Sequence, residues 1–226
     1  MRKSIFLFLI FLTFTNEQIF LSDGKEVEKD QLQVEYHEQT GPDEKAILSF
    51  PKKLSNDKKH GIIIWGPGGG STPSEYEPII RRLASHGFVV IGISSSPGDA
   101  SKAITALEWL NEQNNLSNSP LYNKLDMNVV GCSGHSMGGL ESEQAIIKDR
   151  RVKTAILNNS GDLDHIAMGY VGVDRPIAIV YGVNGFERPN AEADYGNEAV
   201  KAPACLIMMD GANYDHKDIV STSMVT

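Results

Sequence analysis

Val129-Val130-Gly131-Cys132-Ser133-Gly134-His135-Ser136-Met137-Gly138-Gly139 is the stretch from which the rest of the chain can be read. Its first four residues are small or apolar without alternation, the pattern of a strand buried on both faces. Residues 137–147 then take up helical spacing. Between the two lies Gly134-x-Ser136-x-Gly138, a G-x-S-x-G turn in the strand–turn–helix setting that gives the motif meaning. The flanking glycines let the chain turn tightly enough to push the serine side chain out of the sheet. The same turn sets the Met137 N–H beside the place where an oxyanion would form, and the helix beginning there adds a favourable dipole. The stretch points to a nucleophile at Ser136. The competing reading is a glycine-rich turn without chemistry.

Outward from this turn, strands and helices alternate. Upstream, residues 62–65 and 88–93 read as buried strands. Residues 74–86 between them form a helix, with Tyr76, Ile79, Ile80 and Leu83 on one face, that stops at Gly87. Residues 103–110 make a second helix. Downstream, residues 152–157, 177–181 and 205–209 read as strands, with a helix over 190–200. Two alternating stretches near the start, 31–36 and 45–50, flank Gly41-Pro42-Asp43 and read as a hairpin. The alternation implies an α/β domain with a mainly parallel sheet and helices on both faces. In such sheets the chemistry gathers beyond the carboxyl ends of the strands.

A second glycine-rich loop, Gly66-Pro67-Gly68-Gly69-Gly70, follows the 62–65 strand. It breaks the dinucleotide and phosphate-loop patterns, because Ser71 interrupts G-x-G-x-x-G and no Gly-Lys-Ser/Thr follows. It suits the second half of an oxyanion hole, where glycine lets a backbone N–H approach a reacting carbonyl. A purely structural turn is the alternative.

With these pieces the chain resembles an α/β-hydrolase, and more narrowly the secreted bacterial polyesterase, cutinase-like and dienelactone-hydrolase-like group. The resemblance rests on the 66–70 loop, Arg82-Leu-Ala-Ser-His-Gly-Phe-Val-Val90, Ala106-Leu-Glu-Trp-Leu110, the 134–139 turn and Pro189-Asn-Ala191, in the family's order over residues 45–210. It implies Ser136 as nucleophile, with Gly69 and Met137 donating the oxyanion N–H groups. The family's acid would stand at Gly185, which has no side chain. Glu187 is the substitute expected here, with Asp162 and Asp164 after the 152–157 strand as alternatives. The family's histidine corresponds to His216, slightly later than usual, and only ten residues follow it, where the family has a closing helix. The aromatic clamp of polyester-degrading members is not evident: Gly69 and Asn158-Asn159-Ser160 occupy two of its places. The implied function is a serine esterase acting on a small ester. A degenerate hydrolase fold kept for binding is the competing function, favoured by Gly185 and the late histidine.

Composition bounds the rest. The chain has 226 residues, 41% hydrophobic and 22% charged, with a formal charge of −8. That is the makeup of one globular domain, and the acidic balance argues against nucleic acid as partner. Residues 1–22 have the layout of a secretory signal, a cationic start and a ten-residue apolar run too short to span a bilayer. The mature domain, 23–226, is therefore expected to be secreted or periplasmic, without stable membrane insertion. Cys132 and Cys205 fall in non-neighbouring core strands and are expected as two buried thiols. No cofactor is implied. Asp162-Leu-Asp164-His165 carries metal-type ligands, but no second cluster supports a metal site. His135 is expected to pack aside and His37, His60 and His86 to be solvated. Glu141 is expected as a structural hydrogen-bond partner and Glu143 on a solvated face.

Overall fold

The computed structural model describes residues 31–160, 174–196 and 200–209. The chain opens with the expected hairpin, β1 (Val34–Thr40) and β2 (Ala46–Pro51), paired antiparallel from Val34↔Pro51 to Thr40↔Ala46. Gly41 makes the turn at φ +80°, a left-handed conformation that glycine adopts without penalty. Then come β3 (His60–Gly66), α1 (Glu77–Ser85), β4 (Val89–Gly92), α2 (Ser101–Asn115), β5 (Leu125–His135) and α3 (Met137–Lys148). The remainder is β6 (Val152–Asn158), β7 (Ile177–Gly182), α4 (Arg188–Gly196) and β8 (Ala204–Met209). The sheet runs β1-β2-β4-β3-β5-β6-β7-β8. β2 meets β4 antiparallel, and every pairing from β4 through β8 is parallel. This is the α/β-hydrolase fold.

The continuous apolar runs arise because each central strand feeds two cores. Ile62 and Ile64 of β3 join Val89 and Ile91 of β4 on one face, where α2, α3 and α4 supply Leu107, Leu110, Ile146 and Ala191. Ile63, Trp65 and Val90 point to the other face, against Ile80 and Ala84 of α1. Full burial of an aliphatic side chain of this size stabilises by about 1.5–3 kcal/mol, so both faces help to hold the sheet between its helices.

Several boundaries differ from the sequence reading, each for a local reason. The helix expected over 74–86 divides into a 3-10 turn, Pro73–Tyr76, and α1. Pro78 has no N–H to give to the Ser74 carbonyl, which instead takes the Glu77 N–H. β5 starts at Leu125, four residues before the expected start, where polar Asp126 and Asn128 mask the apolar pattern. Its register with β3 slips there, from His60↔Leu125 to Ile62↔Val130. α4 begins at Arg188, two residues before the expected start. The two cysteines are free, as expected, and β6 and β7 separate their strands, but Cys205 on β8 is only half-buried. His60 is not solvated. It accepts the Ser55 N–H at Nε2 (3.0 Å) and donates from Nδ1 to Gly87 O (2.7 Å), tying two loops together.

Candidate active site

β5 ends at His135 and α3 begins at Met137, leaving Ser136 alone between them at φ 53°, ψ −118°. A non-glycine residue there stores strain of order 1–3 kcal/mol. The neighbouring glycines are required by contact. A Cβ on Gly138 would lie 1.9 Å from Gly66 O, and one on Gly134 would lie 2.4 Å from the Gly138 backbone. The turn is thus pressed backbone to backbone against the end of β3. The Ser136 N–H donates to Asn158 O (3.0 Å), and the Asn158 side chain donates to Gly134 O and Ser133 Oγ. The end of β6 therefore braces the turn from the other side. Ser136 and Met137 are half-buried at the carboxyl end of the sheet. Met137 N–H is the first of α3, ahead of any intrahelical acceptor.

The 66–70 loop faces this turn from the end of β3. Gly69 is exposed, and a Cβ on it would lie 3.2 Å from Met137 Cγ. Gly68 O accepts the Ser71 N–H (3.0 Å), closing a tight turn with Gly70 at φ +76°. Gly68 N–H donates to the hydroxyl of Tyr76 (3.0 Å), and that hydroxyl meets His135 Nδ1 at 2.8 Å. His135 packs inward as expected. Its bond to Tyr76 went unforeseen because Tyr76 reads in sequence as one more apolar position of a helix.

Beyond β7 the chain reaches Gly185 and Glu187. Glu187 is 1% exposed. Its Oε2 lies 2.8 Å from where a Cβ on Gly185 would be, with Asn159 Oδ1 at 3.6 Å from the same point. The carboxylate of residue 187 thus fills the space into which a side chain at 185 would project. Asn159, buried at φ 40°, accepts the Gly182 N–H at Oδ1 (2.9 Å) and fixes the start of this loop.

A sequence model described as PET hydrolase-like matches residues 46–185. The chain belongs to this family. The match takes in the serine turn, the glycine loop and Gly185. Among curated relatives of this PET hydrolase-like chain is Cutinase 1 of Thermobifida cellulosilytica, 32% identical over 97 residues, 41% of this chain and 35% of that one. The cutinase of Thermobifida fusca is 32% identical over 97 residues, 41% and 31% of the two chains. Cutinase est1 of Thermobifida alba is 30% identical over 98 residues, 41% and 31%. The matched region spans about a third of the length of these relatives.

Ser136, Met137 and Gly69 lie together at one end of the sheet, and Glu187 lies on the loop after β7. His216, Asp162, Asp164, His165 and the signal-like residues 1–22 are outside the described residues. Glu141 is the structural partner expected: its carboxylate accepts four backbone N–H groups, from Gly98, Asp99, Ala100 and Ala103, at 2.8–3.1 Å. Glu143 departs from expectation. It is 5% exposed, and burial, with the Asp194 charge adding to it, pushes its carboxyl up to about 8. The burial of Glu143, with the Asp194 charge close enough to act on it, is something helical periodicity alone does not reveal. Among the described residues no group of three or more His, Cys, Asp or Glu could hold a metal ion.

Proposed function

We propose that this protein is a serine carboxylic-ester hydrolase working through an acyl-enzyme on short-chain esters. The observation that carries the reading is Ser136, held at φ 53°, ψ −118° in a tight turn between a strand and a helix, the strained setting in which a serine nucleophile is presented. In this reading Ser136 Oγ attacks the ester carbonyl carbon while His216 takes its proton. The Gly69 and Met137 N–H groups bind the oxyanion. Collapse of the tetrahedral intermediate breaks the bond to the leaving oxygen, which receives the proton from His216. Water, deprotonated by the same imidazole, then attacks the acyl-enzyme and releases the acid. Glu187 holds the imidazole tautomer and stabilises its cation. The position of its carboxylate, in the space left by Gly185, supports that role.

The relatives named as cutinases support an ester as the substrate class. Short acyl chains suit a site where Gly69 offers no side chain and the end of β6 carries Asn158, Asn159 and Ser160. Export through residues 1–22 belongs to the same proposal. Among the described residues no helix is long and apolar enough to cross a membrane. The test compares wild type and Ser136→Ala on esters of one alcohol with two-carbon and sixteen-carbon acids. Turnover of the short ester that vanishes in the variant supports the reading. Activity surviving at more than a few per cent places the nucleophile elsewhere, and equal rates on both esters rule out the short-chain preference.

A further inference from the structure

We propose that Tyr76 and His135 are positioning residues for the oxyanion loop, linking it by hydrogen bonds to the nucleophile turn so that Gly69 N–H stays aimed for the transition state. The inference rests on the serine-hydrolase reading above and adds two residues to it. Four of the five residues from Gly66 to Gly70 are glycine, and glycine surrenders more backbone freedom on ordering than any other residue. A loop of this composition needs fixed points if an amide is to be preorganised. Beyond Gly66, which ends β3, two hydrogen bonds among the described residues fix it, both on Gly68. The N–H goes to Tyr76 Oη at 3.0 Å, and the carbonyl takes the Ser71 N–H at 3.0 Å.

The second fixed point orients the amide that matters. Gly68 C=O and Gly69 N–H belong to one trans peptide plane and point in opposite directions. With the carbonyl turned to Ser71, the Gly69 N–H faces the other way. Rotation of this plane would withdraw it from the oxyanion. Tyr76 opposes that rotation from the N-terminal side of Gly68.

Tyr76 is itself anchored. It is 5% exposed, packs its ring on Trp65 (centroids 5.6 Å apart) and His135 (5.9 Å), and meets His135 Nδ1 with its hydroxyl at 2.8 Å. In the proposed arrangement the hydroxyl hydrogen is assigned to His135 Nδ1, which puts the imidazole proton on Nε2. Burial raises the Tyr76 hydroxyl above the usual tyrosine value, against the opposing pull of the Gly68 N–H, and keeps it a donor. His135 is 4% exposed and precedes Ser136 directly. Loop and nucleophile therefore share one buried chain of contacts. It is tight: a Cβ on Gly68 would lie 3.0 Å from both His135 Nδ1 and Tyr76 Oη.

Tyr76→Phe keeps the ring and removes the hydroxyl, leaving Gly68 N–H and His135 Nδ1 without their shared partner. Loss of an oxyanion donor costs roughly 10²–10³ in kcat, so a donor that is loosened but retained should cost about tenfold. The steady-state constants would be measured on a two-carbon ester, with active sites titrated by a fluorophosphonate so that misfolded protein does not count. Affinity for an alkyl boronic acid, which mimics the tetrahedral oxyanion, would be measured alongside. The expected result is kcat down about tenfold, KM within twofold, and boronate affinity down by the factor lost in kcat. His135→Leu should reproduce this, and His135→Gln, which restores an acceptor for the Tyr76 hydroxyl, should recover most of it. The double variant Tyr76→Phe, His135→Leu should be no worse than either single one. Wild-type turnover with Tyr76→Phe unchanged in kcat and boronate affinity overturns the positioning role alone. A wild type that neither turns over ester nor reacts with the fluorophosphonate overturns the hydrolase reading and this role with it.

Discussion

Replacing Glu187 by glutamine probes the least conventional part of the proposed site. The swap keeps shape and volume but removes the charge that would hold an imidazolium. Glutamate reaches about 1.5 Å further than aspartate, one carbon–carbon bond, and here that reach brings Oε2 to 2.8 Å from the Cβ position of Gly185. Residue 187 therefore delivers a carboxylate to the end of β7 from two positions downstream. A triad whose acid cannot set the histidine tautomer loses roughly four orders of magnitude in kcat, about 5.4 kcal/mol of transition-state stabilisation. The expected result for Glu187→Gln is a kcat loss of about that size on a two-carbon ester, with KM little changed. Asp162→Asn, measured in parallel, should stay close to wild type. The pair Gly185→Asp, Glu187→Ala should recover activity over Glu187→Gln, because the new side chain enters the space that the glutamate vacates. A Glu187→Gln enzyme within threefold of wild-type kcat would refute the assignment. The same outcome with Asp162→Asn severely impaired would transfer the role to the neighbouring strand.

Other parts of the structure make their own demands. Gly138→Ala forces a methyl to within 1.9 Å of Gly66 O and should cost about 3 kcal/mol or more in urea unfolding; a cost below about 1 kcal/mol would mean that the turn is not pressed against β3. Glu141→Gln replaces an acceptor-only carboxylate facing four N–H donors with an amide that turns two hydrogens toward them, for an expected loss of about 2–4 kcal/mol. Glu143 keeps its proton in the fold up to about pH 8 but loses it near 4.3 when unfolded, so the native state binds more protons between these values and stability falls as pH rises through that window. Glu143→Gln should accordingly gain in melting temperature over wild type from pH 5 to pH 8, and a constant difference across that range would contradict the buried placement. Thiol labelling of native protein should reach half-buried Cys205 and spare Cys132, whose thiol burial pushes far above its usual value; equal labelling of both would contradict the packing of β5.

The architecture was legible because its signals are local and redundant. Residues 62–65 and 129–132 read as strands buried on both faces, and they are β3 and β5 segments beside the serine turn, although Val129 is 45% exposed. The turn itself could be read because Gly134 and Gly138 are forced by sterics at fixed spacing around Ser136. What escaped reading depends on distant partners. Tyr76 looks like a core residue, and its hydroxyl gains meaning only when Gly68 and His135 fold up to it. Glu143 looks like a surface glutamate until the folded chain buries it. His60 looks like a loop residue until Ser55 and Gly87 close around its ring. Glu187 lay between these cases. The absence of a side chain at Gly185 raised the question in sequence, but only three dimensions show a carboxylate in that space.

Covalent capture tests the central claim most directly. Folded wild-type protein would be treated with a fluorophosphonate, its intact mass recorded, and the modified peptide mapped. The account predicts a single adduct per chain, carried by Ser136 and abolished in Ser136→Ala while the melting temperature stays within a few degrees. Protein that melts cooperatively yet takes no adduct, or carries it on another residue, would contradict the claim that this turn presents an activated nucleophile.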